Sequence, residues 1–493
     1  MTKTKKFRDY NPADQIMLLP PSPRDWLEPD HLVYFVSDVV DKLDLSAIYA
    51  SYTGLRGYPP YEPRMMVKVW LYAFMLGIHS SRKLERALHE DIGFRVLSGN
   101  QQPDFWTLSE FRRRHHEALG RLFDQTVKAA AGAGLVKLEH VSVDGTKLKA
   151  NASKHRAMSY GHMLAEDKRI REEIERWFEE VERNDRAEDE IYGKESGWRL
   201  PPELATAEKR REFIEKFIKE LEERKKVEAD GEQEEPQAPP PRRGHPKPAP
   251  PESQTRLPFP GPDASGPEPE EAAEPQEEKP AAKPKDKDQI NFTDPDSRIM
   301  KNSDKAFIQG YNAQIAVDAK THIIVAADLT NQAADSPHLG AMIEQIIART
   351  RRRPKELSAD AGYWSDTNLK LVENYGIEAF IPPEKIKHSE WRAQKAPRGR
   401  IPKSATPKDR MRRKLRTKRG RARYKLRQTS AEPVFGHIKE PMGFRQVPLR
   451  GKAKARSMWL LQCAAHNLMK LYRASRKSPR AARRVARAIA ALA

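Results

Sequence analysis

The sequence predicts a mixed α/β fold that follows an all-α region and is interrupted by one large insertion. Apolar residues recur at helical spacing through residues 1–139. A β-branched run at residues 140–143 predicts a strand, and the runs between residues 307 and 382 predict a β-hairpin followed by helix, strand, helix and strand. Together these strands make a mixed five-stranded sheet flanked by helices.

Charge and length narrow the class of protein. The 493 residues include 90 Lys and Arg against 70 Asp and Glu, which gives a formal net charge of +20. This balance indicates a polyanionic partner, above all nucleic acid, and the alternative is a highly soluble basic protein of another kind. At about 150 residues per domain, the length allows about three domains.

The single cysteine and the distribution of apolar residues argue against several other classes. Cys463 has no second cysteine with which to form a disulfide or a cysteine-based metal cluster, and its apolar surroundings predict a buried position. No stretch approaches the roughly 20 apolar residues of a membrane span. The basic N-terminus lacks the apolar segment of a secretory signal. We therefore expect a cytoplasmic protein with no membrane partner.

Residues 1–139 are predicted to form a helical domain that binds DNA. Helical periodicity recurs in four segments, of which the second is apolar on most faces and predicts a buried helix. In the fourth, Thr107 and Glu110 are spaced as a capping box. Its basic run is typical of a DNA-reading helix beside a buried one, although a solvated helix face shows the same pattern. The segments are residues 31–45, 63–78, 80–88 and 106–119. The candidate DNA contacts are Arg112, Arg113 and Arg114, and the adjacent His115 and His116 are predicted to lie on the surface.

Residues 154–229 are predicted to form a helical hairpin that leaves the main fold. Apolar residues recur at helical spacing in residues 170–181 and 213–221, with charged residues on the other faces. The hairpin is interpreted as a solvated excursion, and a DNA clamp or a dimer contact is the alternative. Residues 230–288 are dominated by Pro, Glu, Lys, Ala and Gly and bury too little apolar area to offset their chain entropy, which predicts a disordered linker.

Residues 289–473 are predicted to complete the mixed sheet, whose first strand comes from residues 140–153. Within the larger part, residues 392–427 are intensely basic and contain Asp409 as their one acid. Such a block of one sign repels itself unless an anion is present, so phosphate contact is favoured over a solvated helix face. A basic tail, residues 474–493, follows.

Three acids stand where a strand or a helix would hold them rigidly. Asp144 follows the first predicted strand and precedes Gly145, a pair that predicts the end of that strand. Asp360 ends a second predicted strand. Because successive strand ends meet at one edge of such a sheet, we expect these two acids to be neighbours. Glu432 precedes Pro433 and is predicted to lie in the first turn of a short helix, whose positive end keeps it ionised.

Three carboxylates so close together need a counter-charge, because they repel by several kcal/mol per pair at about 4 Å. Two Mg²⁺ ions, or Mn²⁺, relieve this repulsion and can activate a water or a 3′-hydroxyl for an in-line displacement. Oxygen ligands without cysteine suit these metals better than Zn²⁺. Lys147 and Lys149 follow the first acid, and Lys439 returns to the helix face of Glu432, so all three lysines are candidate phosphate contacts. The residues alone predict a metal-dependent nucleic-acid enzyme.

Four motifs together carry a resemblance to a known family. They are the helical run YPPYEPRMMVKVWLYAFMLGIHSSRKLERAL, the first-aspartate motif SVDGTKLKANASKH, the pair GYNAQIAVD and LSADAGYWSD, and the set Tyr424, Arg427, Glu432 and Lys439. This combination resembles the DDE transposases of bacterial insertion sequences, whose catalytic domain is ribonuclease-H-like. The last set resembles the Tyr-Arg-Glu-Lys signature of that family, although four residues separate Arg427 from Glu432 where the family pattern has three.

The resemblance implies a catalytic, metal-binding triad of Asp144, Asp360 and Glu432, with Glu440 as the alternative third acid. The residues that it implies hold the transposon end are Tyr424, Arg427 and Lys439. The implied reaction is metal-dependent cleavage at the ends of the element, followed by attack of a freed 3′-hydroxyl on target DNA.

The implied partners are the terminal inverted repeats and target DNA, bound by a homodimer or a higher oligomer in the bacterial cytoplasm, at the nucleoid. Two alternatives keep the same fold. One is a nuclease that cuts DNA without strand transfer, and the other is a domesticated, non-catalytic DNA-binding relative.

Overall fold

The described part of the chain falls into two compact units. Unit 1 comprises the described residues up to Ala157 and from Asn291, and unit 2 those of Met158–Ile290. The computed structural model describes residues 27–52, 59–152, 157–172, 202–231, 285–286, 288–302, 305–385, 399–402 and 404–492. Within residues 202–231, side chains are described for residues 209–226. The predicted disordered linker lies outside these ranges except at its ends, and so do residues 392–398 of the basic segment.

The first part of unit 1 is helical, as the periodicity predicts. Its described helices are α1 (Leu32–Val40), α2 (Ser46–Tyr49), α3 (Pro63–Met75), α4 (Ser81–Glu90), α5 (Ile92–Ser98), α6 (Phe105–Arg114) and α7 (His116–Gly132). Helix α3 is buried on nearly all faces, which confirms the predicted buried helix. It begins with Pro63 at its first position, and the Glu62 carboxylate accepts a hydrogen bond from the Met65 N–H at 2.8 Å.

The prediction of one continuous helix over residues 106–119 is wrong. Helix α6 ends at Arg114 and α7 begins one residue later, because His115 departs from helical dihedral angles. Its ring is buried and lies 3.2 Å from the Tyr52 hydroxyl, so the predicted surface position is also wrong. The cap of α6 is Asp104, whose Oδ1 accepts from the Thr107 N–H at 2.6 Å. Thr107 is therefore inside the first turn and does not cap the helix.

The described residues contain a mixed sheet of six strands, which confirms the predicted fold class and adds one strand to the predicted five. The described strands are β1 (His140–Lys149), β2 (Ala157–Ser159), β3 (Gln289–Asn291), β4 (Arg298–Lys301), β5 (Phe307–Asp318), β6 (Ile324–Thr330), β7 (Glu356–Ser358) and β8 (Glu378–Phe380). The main sheet has the order β4-β5-β1-β7-β8, with β6 also on β5, whereas β2 and β3 pair separately. Strand β1 is antiparallel to β5 and parallel to β7, and β4 is the strand that alternation did not predict.

Strand β1 does not end at Asp144 and Gly145, so this predicted boundary is wrong. The strand continues to Lys149 and pairs with β5 along its whole length from Val141. Beyond Asp144 the backbone groups of β1 continue to pair with β5, and this pairing outweighs the turn preference of the Asp-Gly pair. Asp144 consequently lies in the middle of a strand, where its backbone is fixed by the ladder.

Unit 2 contains two described helices, α8 (residues 160–172) and α9 (Pro202–Gly231). Ion pairs connect them: Arg171 to Glu215 at 3.0 Å and Arg211 to Asp167 at 3.3 Å. Nearer the start of α8, the Tyr160 hydroxyl donates to Glu222 at 2.7 Å. These contacts pair the helices in antiparallel directions, and whether the insertion is a solvated excursion or an interaction element stays a prediction.

The remaining α-helices that the structure describes in unit 1 are α10 (Leu339–Thr350), α11 (Asp366–Asn374), α12 (Pro407–Arg416), α13 (Lys418–Lys439), α14 (Lys452–Ser475) and α15 (Pro479–Ala490). The predicted short helix that starts at Glu432 is wrong. Helix α13 begins at Lys418, where Thr417 accepts from the Gly420 N–H at 3.0 Å, and it runs through Pro433. Burial of Val434, Phe435 and Ile438 on the sheet side stabilises the helix beyond the proline.

Helix α14 connects the helical region to the sheet. It packs against α3 and α7 of the helical region and against β6 of the sheet. It also carries Cys463, which is buried as predicted. One continuous hydrophobic core therefore runs from Val33 in α1 to Ile489 in α15. Among the described helices, none combines the length and the apolar character of a membrane span.

Candidate active site

Asp144 is a buried carboxylate with two hydrogen-bond donors. The residue is 7% exposed, Oδ1 accepts from the Gly145 N–H at 2.9 Å, and Oδ2 accepts from Arg427 Nη1 at 2.9 Å. Burial raises the pKa of Asp144 to about 7, although the Arg427 guanidinium opposes the shift; Asp360 and Glu432 add to it. Asp360 and Glu432 therefore both act electrostatically on Asp144, which keeps its charge most easily beside a cation.

Asp360 lies next to Asp144 in the register of the sheet. Strands β1 and β7 pair in parallel with Ser142 opposite Ser358, and each acid stands two residues beyond that pair. The prediction that the strands of these two acids are neighbours is confirmed, although Asp144 lies within β1 and not at its end. Asp360 begins a 3₁₀ turn, Ala361–Tyr363, and its Oδ1 accepts from the Gly362 N–H at 2.9 Å. This hydrogen bond fixes the carboxylate at the carboxyl end of β7.

Helix α13 brings the predicted third acid to the first. Arg427 lies between the two, with Nη1 on Asp144 and Nη2 3.4 Å from Glu432 Oε1. The guanidinium also lies 5.9 Å from the centre of the Tyr424 ring, and burial raises the pKa of Tyr424. Glu432 has 53% of its side chain exposed, so it faces the open side of the site. The four-residue spacing of Arg427 and Glu432 does not prevent their pairing.

The side chains of Lys439 and Glu440, at the end of α13, have partners in different parts of the fold. The Lys439 ammonium donates to the Thr146 hydroxyl on β1, two residues beyond Asp144. Glu440 instead pairs with Arg445 and is exposed. Glu432, and not Glu440, is therefore the acid of α13 that lies close to Asp144.

The other predicted DNA contacts are divided between surface and core. Lys149 is exposed, whereas the Lys147 ammonium donates to the Ala333 carbonyl at 2.8 Å. Arg113 is exposed and pairs with Glu110, and Arg114 is exposed and donates to the Ser51 carbonyl at 2.6 Å. Contact of Lys147, Lys149, Arg113 and Arg114 with DNA stays a prediction.

Arg112 does not fit its predicted role. The residue is 5% exposed, donates to the His79 carbonyl at 2.6 Å and stacks 4.4 Å from the centre of the Trp70 ring. Burial lowers the pKa of Arg112 to about 10. Arg112 therefore packs the helical region, and the prediction that it contacts DNA needs correction.

The donor set of the site fits divalent hard cations. Asp144, Asp360 and Glu432 offer carboxylate oxygens, which Mg²⁺ and Mn²⁺ prefer. Burial and mutual repulsion make an ionised Asp144 unfavourable without a cation. In the part of the chain that the structure describes, however, these acids do not form a preformed cluster of three metal ligands, because Arg427 lies between two of them.

Asp335 is an acid beside this site that the sequence patterns did not single out. It lies in the connection between β6 and α10, where Oδ1 accepts from Asn312 Nδ2 at 2.7 Å and Gln314 Nε2 at 2.8 Å. The two amides lie on β5, which pairs with both β1 and β6. The one local signal was an Asp-Ser-Pro sequence before an apolar helix, which is typical of a helix start and carries no chemistry by itself.

Two comparisons with protein families agree with this geometry. Residues 21–114 match a transposase domain (DUF772), and residues 276–468 match a transposase DDE domain. Neither a curated protein nor a solved structure matches the chain. The second match includes both Asp360 and Glu432, and the order β6-β5-β1-β7-β8 within the sheet is that of a ribonuclease-H-like fold. The DDE family acts on DNA and generally uses divalent metal ions. With a transposase domain on each side of the insertion, the chain belongs to the DDE transposases of insertion sequences.

Proposed function

We propose that the protein cleaves DNA at the ends of an insertion sequence and joins the freed 3′-hydroxyl to target DNA, with Asp144, Asp360 and Glu432 as its catalytic acids. The convergence of these acids is the observation that supports the proposal most. Arg427 pairs with Asp144 across 283 residues of sequence, and the same guanidinium pairs with Glu432. Phosphoryl transfer needs such a concentration of charge at one fixed point.

Two Mg²⁺ ions, or Mn²⁺, would be held by Asp144, Asp360 and Glu432, and they would activate the attacking water or 3′-hydroxyl and stabilise the leaving oxygen. The chain itself supplies the position of the carboxylates: a central strand for the first, a capped 3₁₀ turn for the second and a long helix for the third. Rigid backbone at each acid favours catalysis because the reacting groups need little reorganisation.

Arg427 has two roles in this proposal. Without ions, its guanidinium neutralises the carboxylates of Asp144 and Glu432. The planar donor fork of arginine also matches phosphate, so Arg427 exchanges its carboxylate partners for the DNA backbone when ions and DNA bind. Tyr424 and Lys439 flank it on the same helix and hold the transposon end together with it.

The proposed partners are the terminal inverted repeats and the target DNA. The net charge of +20 favours DNA binding, and the exposed residues Lys149, Arg113 and Arg114 extend the basic surface. We propose a homodimer or a higher oligomer on DNA because two ends must be cut and joined together. Such an enzyme works at the nucleoid in the bacterial cytoplasm.

The test is strand cleavage and joining on DNA that carries the ends of the element, with Mg²⁺, for the wild type and Asp360→Asn. We expect the wild type to cleave and join, and Asp360→Asn to bind DNA with the same affinity while its cleavage rate falls by about 10³-fold or more. Asp366→Asn, at an exposed position in the first turn of α11, is the matched control and keeps wild-type rates.

Three results would change the proposal. Cleavage by the wild type without joining would indicate a ribonuclease-H-like nuclease without strand transfer. Equal cleavage by the wild type and Asp360→Asn would remove Asp360 from the catalytic acids, and DNA binding without any cleavage would favour a domesticated, non-catalytic relative.

A further inference from the structure

The carboxylate of Asp335 is surrounded by donors from the centre of the sheet. Asn312 and Gln314, both fully buried on β5, donate their side-chain amides to Oδ1 at 2.7 and 2.8 Å. The Lys147 ammonium on β1 lies 3.4 Å from the same oxygen. A carboxylate with this many donors at one oxygen is held in a fixed orientation.

The same carboxylate fills the space beside the two glycines that follow the proposed catalytic acids. A Cβ added to Gly145, directly after Asp144, would lie 2.9 Å from Asp335 Oδ1. A Cβ added to Gly362, two residues after Asp360, would lie 3.1 Å from Asp335 Oδ2 and 3.0 Å from Asp360 Oδ1. Both backbones therefore approach Asp335 so closely that only glycine fits without a shift.

A second set of contacts connects this carboxylate to the turn that carries Asp360. Gln314 donates to Asp335 and accepts from the hydroxyl of Tyr363, the fully buried last residue of the 3₁₀ turn. Asn368 Nδ2 donates to the carbonyl oxygens of both Ser336 and Tyr363, each at 2.8 Å. Two side chains, Gln314 of β5 and Asn368 of α11, thus bridge the turn after β7 and the connection after β6.

We propose that Asp335 is a positioning residue of the active site, which holds the 3₁₀ turn of Asp360 against β1 through Gln314 and Tyr363. The inference rests on the proposed function for its catalytic consequence, and on the contacts alone for its structural one. Asp335 acts through its neighbours: it keeps Asp360 at the distance from Asp144 at which both carboxylates serve one reaction.

The structural part is tested on the full-length chain without metal or DNA. Hydrogen exchange of residues 362–364 reports the turn, because their N–H groups donate to Asp360 Oδ1, the Asp360 carbonyl and the Ala361 carbonyl. We expect these amides to exchange about tenfold faster in Asp335→Asn, since an uncharged amide oxygen is a weaker acceptor than Asp335 Oδ1 for the donors of Asn312, Gln314 and Lys147.

A reversed pair provides the rescue. In Asp335→Asn combined with Gln314→Glu, the new carboxylate accepts from the new amide and still accepts from the Tyr363 hydroxyl. We expect this double variant to restore protection in the turn, and Gln314→Glu alone to lose it because two carboxylates then face each other. Asp328→Asn, at a half-buried acid of β6 that pairs with Arg456, is the matched control and leaves the turn unchanged.

The catalytic part is the cleavage rate at saturating DNA and Mg²⁺. We expect Asp335→Asn to lower the rate about 10–100-fold with unchanged DNA affinity, and the reversed pair to recover most of the loss. Unchanged exchange in the turn, or a loss that the reversed pair does not recover, would overturn the proposal. If the wild type does not cleave, the proposed function fails, while the exchange result still stands or falls independently.

Discussion

At the scale of single residues, the buried position of Asp144 lowers the stability of the folded protein. Burial raises its pKa from 3.8 to about 7 even though Arg427 donates to it. An acid whose pKa is raised on folding destabilises the folded protein once the pH exceeds the pKa of the acid in the unfolded state. For Asp144 this loss of stability grows as the pH rises from 3.8 and is complete above about pH 7. A position that serves only the fold would not favour a carboxylate, so its presence favours a functional role.

Asp144→Asn should therefore raise stability while it abolishes cleavage. The amide resembles the neutral, protonated carboxyl, so we expect the free energy of unfolding at pH 8 in EDTA to increase by about 1–3 kcal/mol. Chemical denaturation measures the change.

Asp318→Asn is the matched control, with the opposite sign. Asp318 is also buried, but it accepts from the backbone N–H groups of Lys137 and Leu138 at 2.7 and 2.8 Å. Its replacement leaves donors facing an amide and should lower stability by about 1–3 kcal/mol. A loss of stability in Asp144→Asn similar to that in Asp318→Asn would contradict the assignment of Asp144.

Single residues were predictable where a motif carries their chemistry. Asp144, Asp360 and Glu432 come from short patterns, and the structure brings Asp144 into contact with Arg427 and both of the others within electrostatic range. Asp335 could not be found in this way, because its partners are distant in sequence and its local pattern is that of a helix start. Arg112 is the reverse case, since a basic run does not reveal which arginine faces the core.

At the scale of elements, a chain of buried hydroxyls sets the register of α13 on the sheet. Ser430 Oγ lies 2.8 Å from Ser142 Oγ on β1, which lies 3.1 Å from Ser358 Oγ on β7. All three residues are fully buried. The helix that carries Arg427 and Glu432 is thus bonded to the two strands that lead to Asp144 and Asp360.

Ser430→Ala should loosen this register. The change removes one hydroxyl from a buried chain and leaves its neighbour with one partner fewer, so we expect a loss of about 1–2 kcal/mol in the free energy of unfolding. The adjacent Thr429→Ala, at an exposed position, should change it by less than about 0.5 kcal/mol. Urea denaturation of both variants measures the two free energies of unfolding. Equal changes in the two variants would show that the hydroxyl chain does not stabilise the helix.

Elements were predictable in kind and less so in extent. The β-branched and apolar runs located five of the six strands in the described main sheet, because such residues favour strands. The boundary errors at β1 and α13 have the same cause. The Asp144–Gly145 pair prefers the end of a strand and Pro433 the first turn of a helix, but tertiary packing extends β1 and α13 through these positions.

At the scale of the whole molecule, three histidines make the shared core sensitive to acid. Burial lowers the pKa of His79 and His437 to about 4 and that of His466 to about 3. His466 Nδ1 lies 3.1 Å from His437 Nδ1, and its Nε2 donates to the His322 carbonyl at 3.0 Å. The folded state therefore binds fewer protons than the unfolded state between pH 6.5 and about 4.

Stability should consequently fall as the pH falls below 6.5. Each neutral buried histidine contributes up to about 1.4 kcal/mol per pH unit in this window, and the loss levels off below the folded pKa values. We expect His466→Gln to lower the melting temperature at pH 7.5 and to reduce its fall between pH 6.5 and 5. His89→Gln, at an exposed position, should keep the wild-type dependence. A parallel dependence in His466→Gln would contradict the assignment.

The fold of the whole molecule also distinguishes the two candidates for the third catalytic acid, Glu432 and Glu440. Two acids lie near the end of α13, and the fold directs Glu432 to Arg427 and Asp144, and Glu440 to Arg445. The most direct measurement is the rate of strand cleavage at saturating DNA and Mg²⁺ for Glu432→Gln and Glu440→Gln. We expect a loss of about 10³-fold or more in Glu432→Gln and less than about threefold in Glu440→Gln, with DNA binding equal in both. The reverse order of the two rates would contradict the triad of Asp144, Asp360 and Glu432.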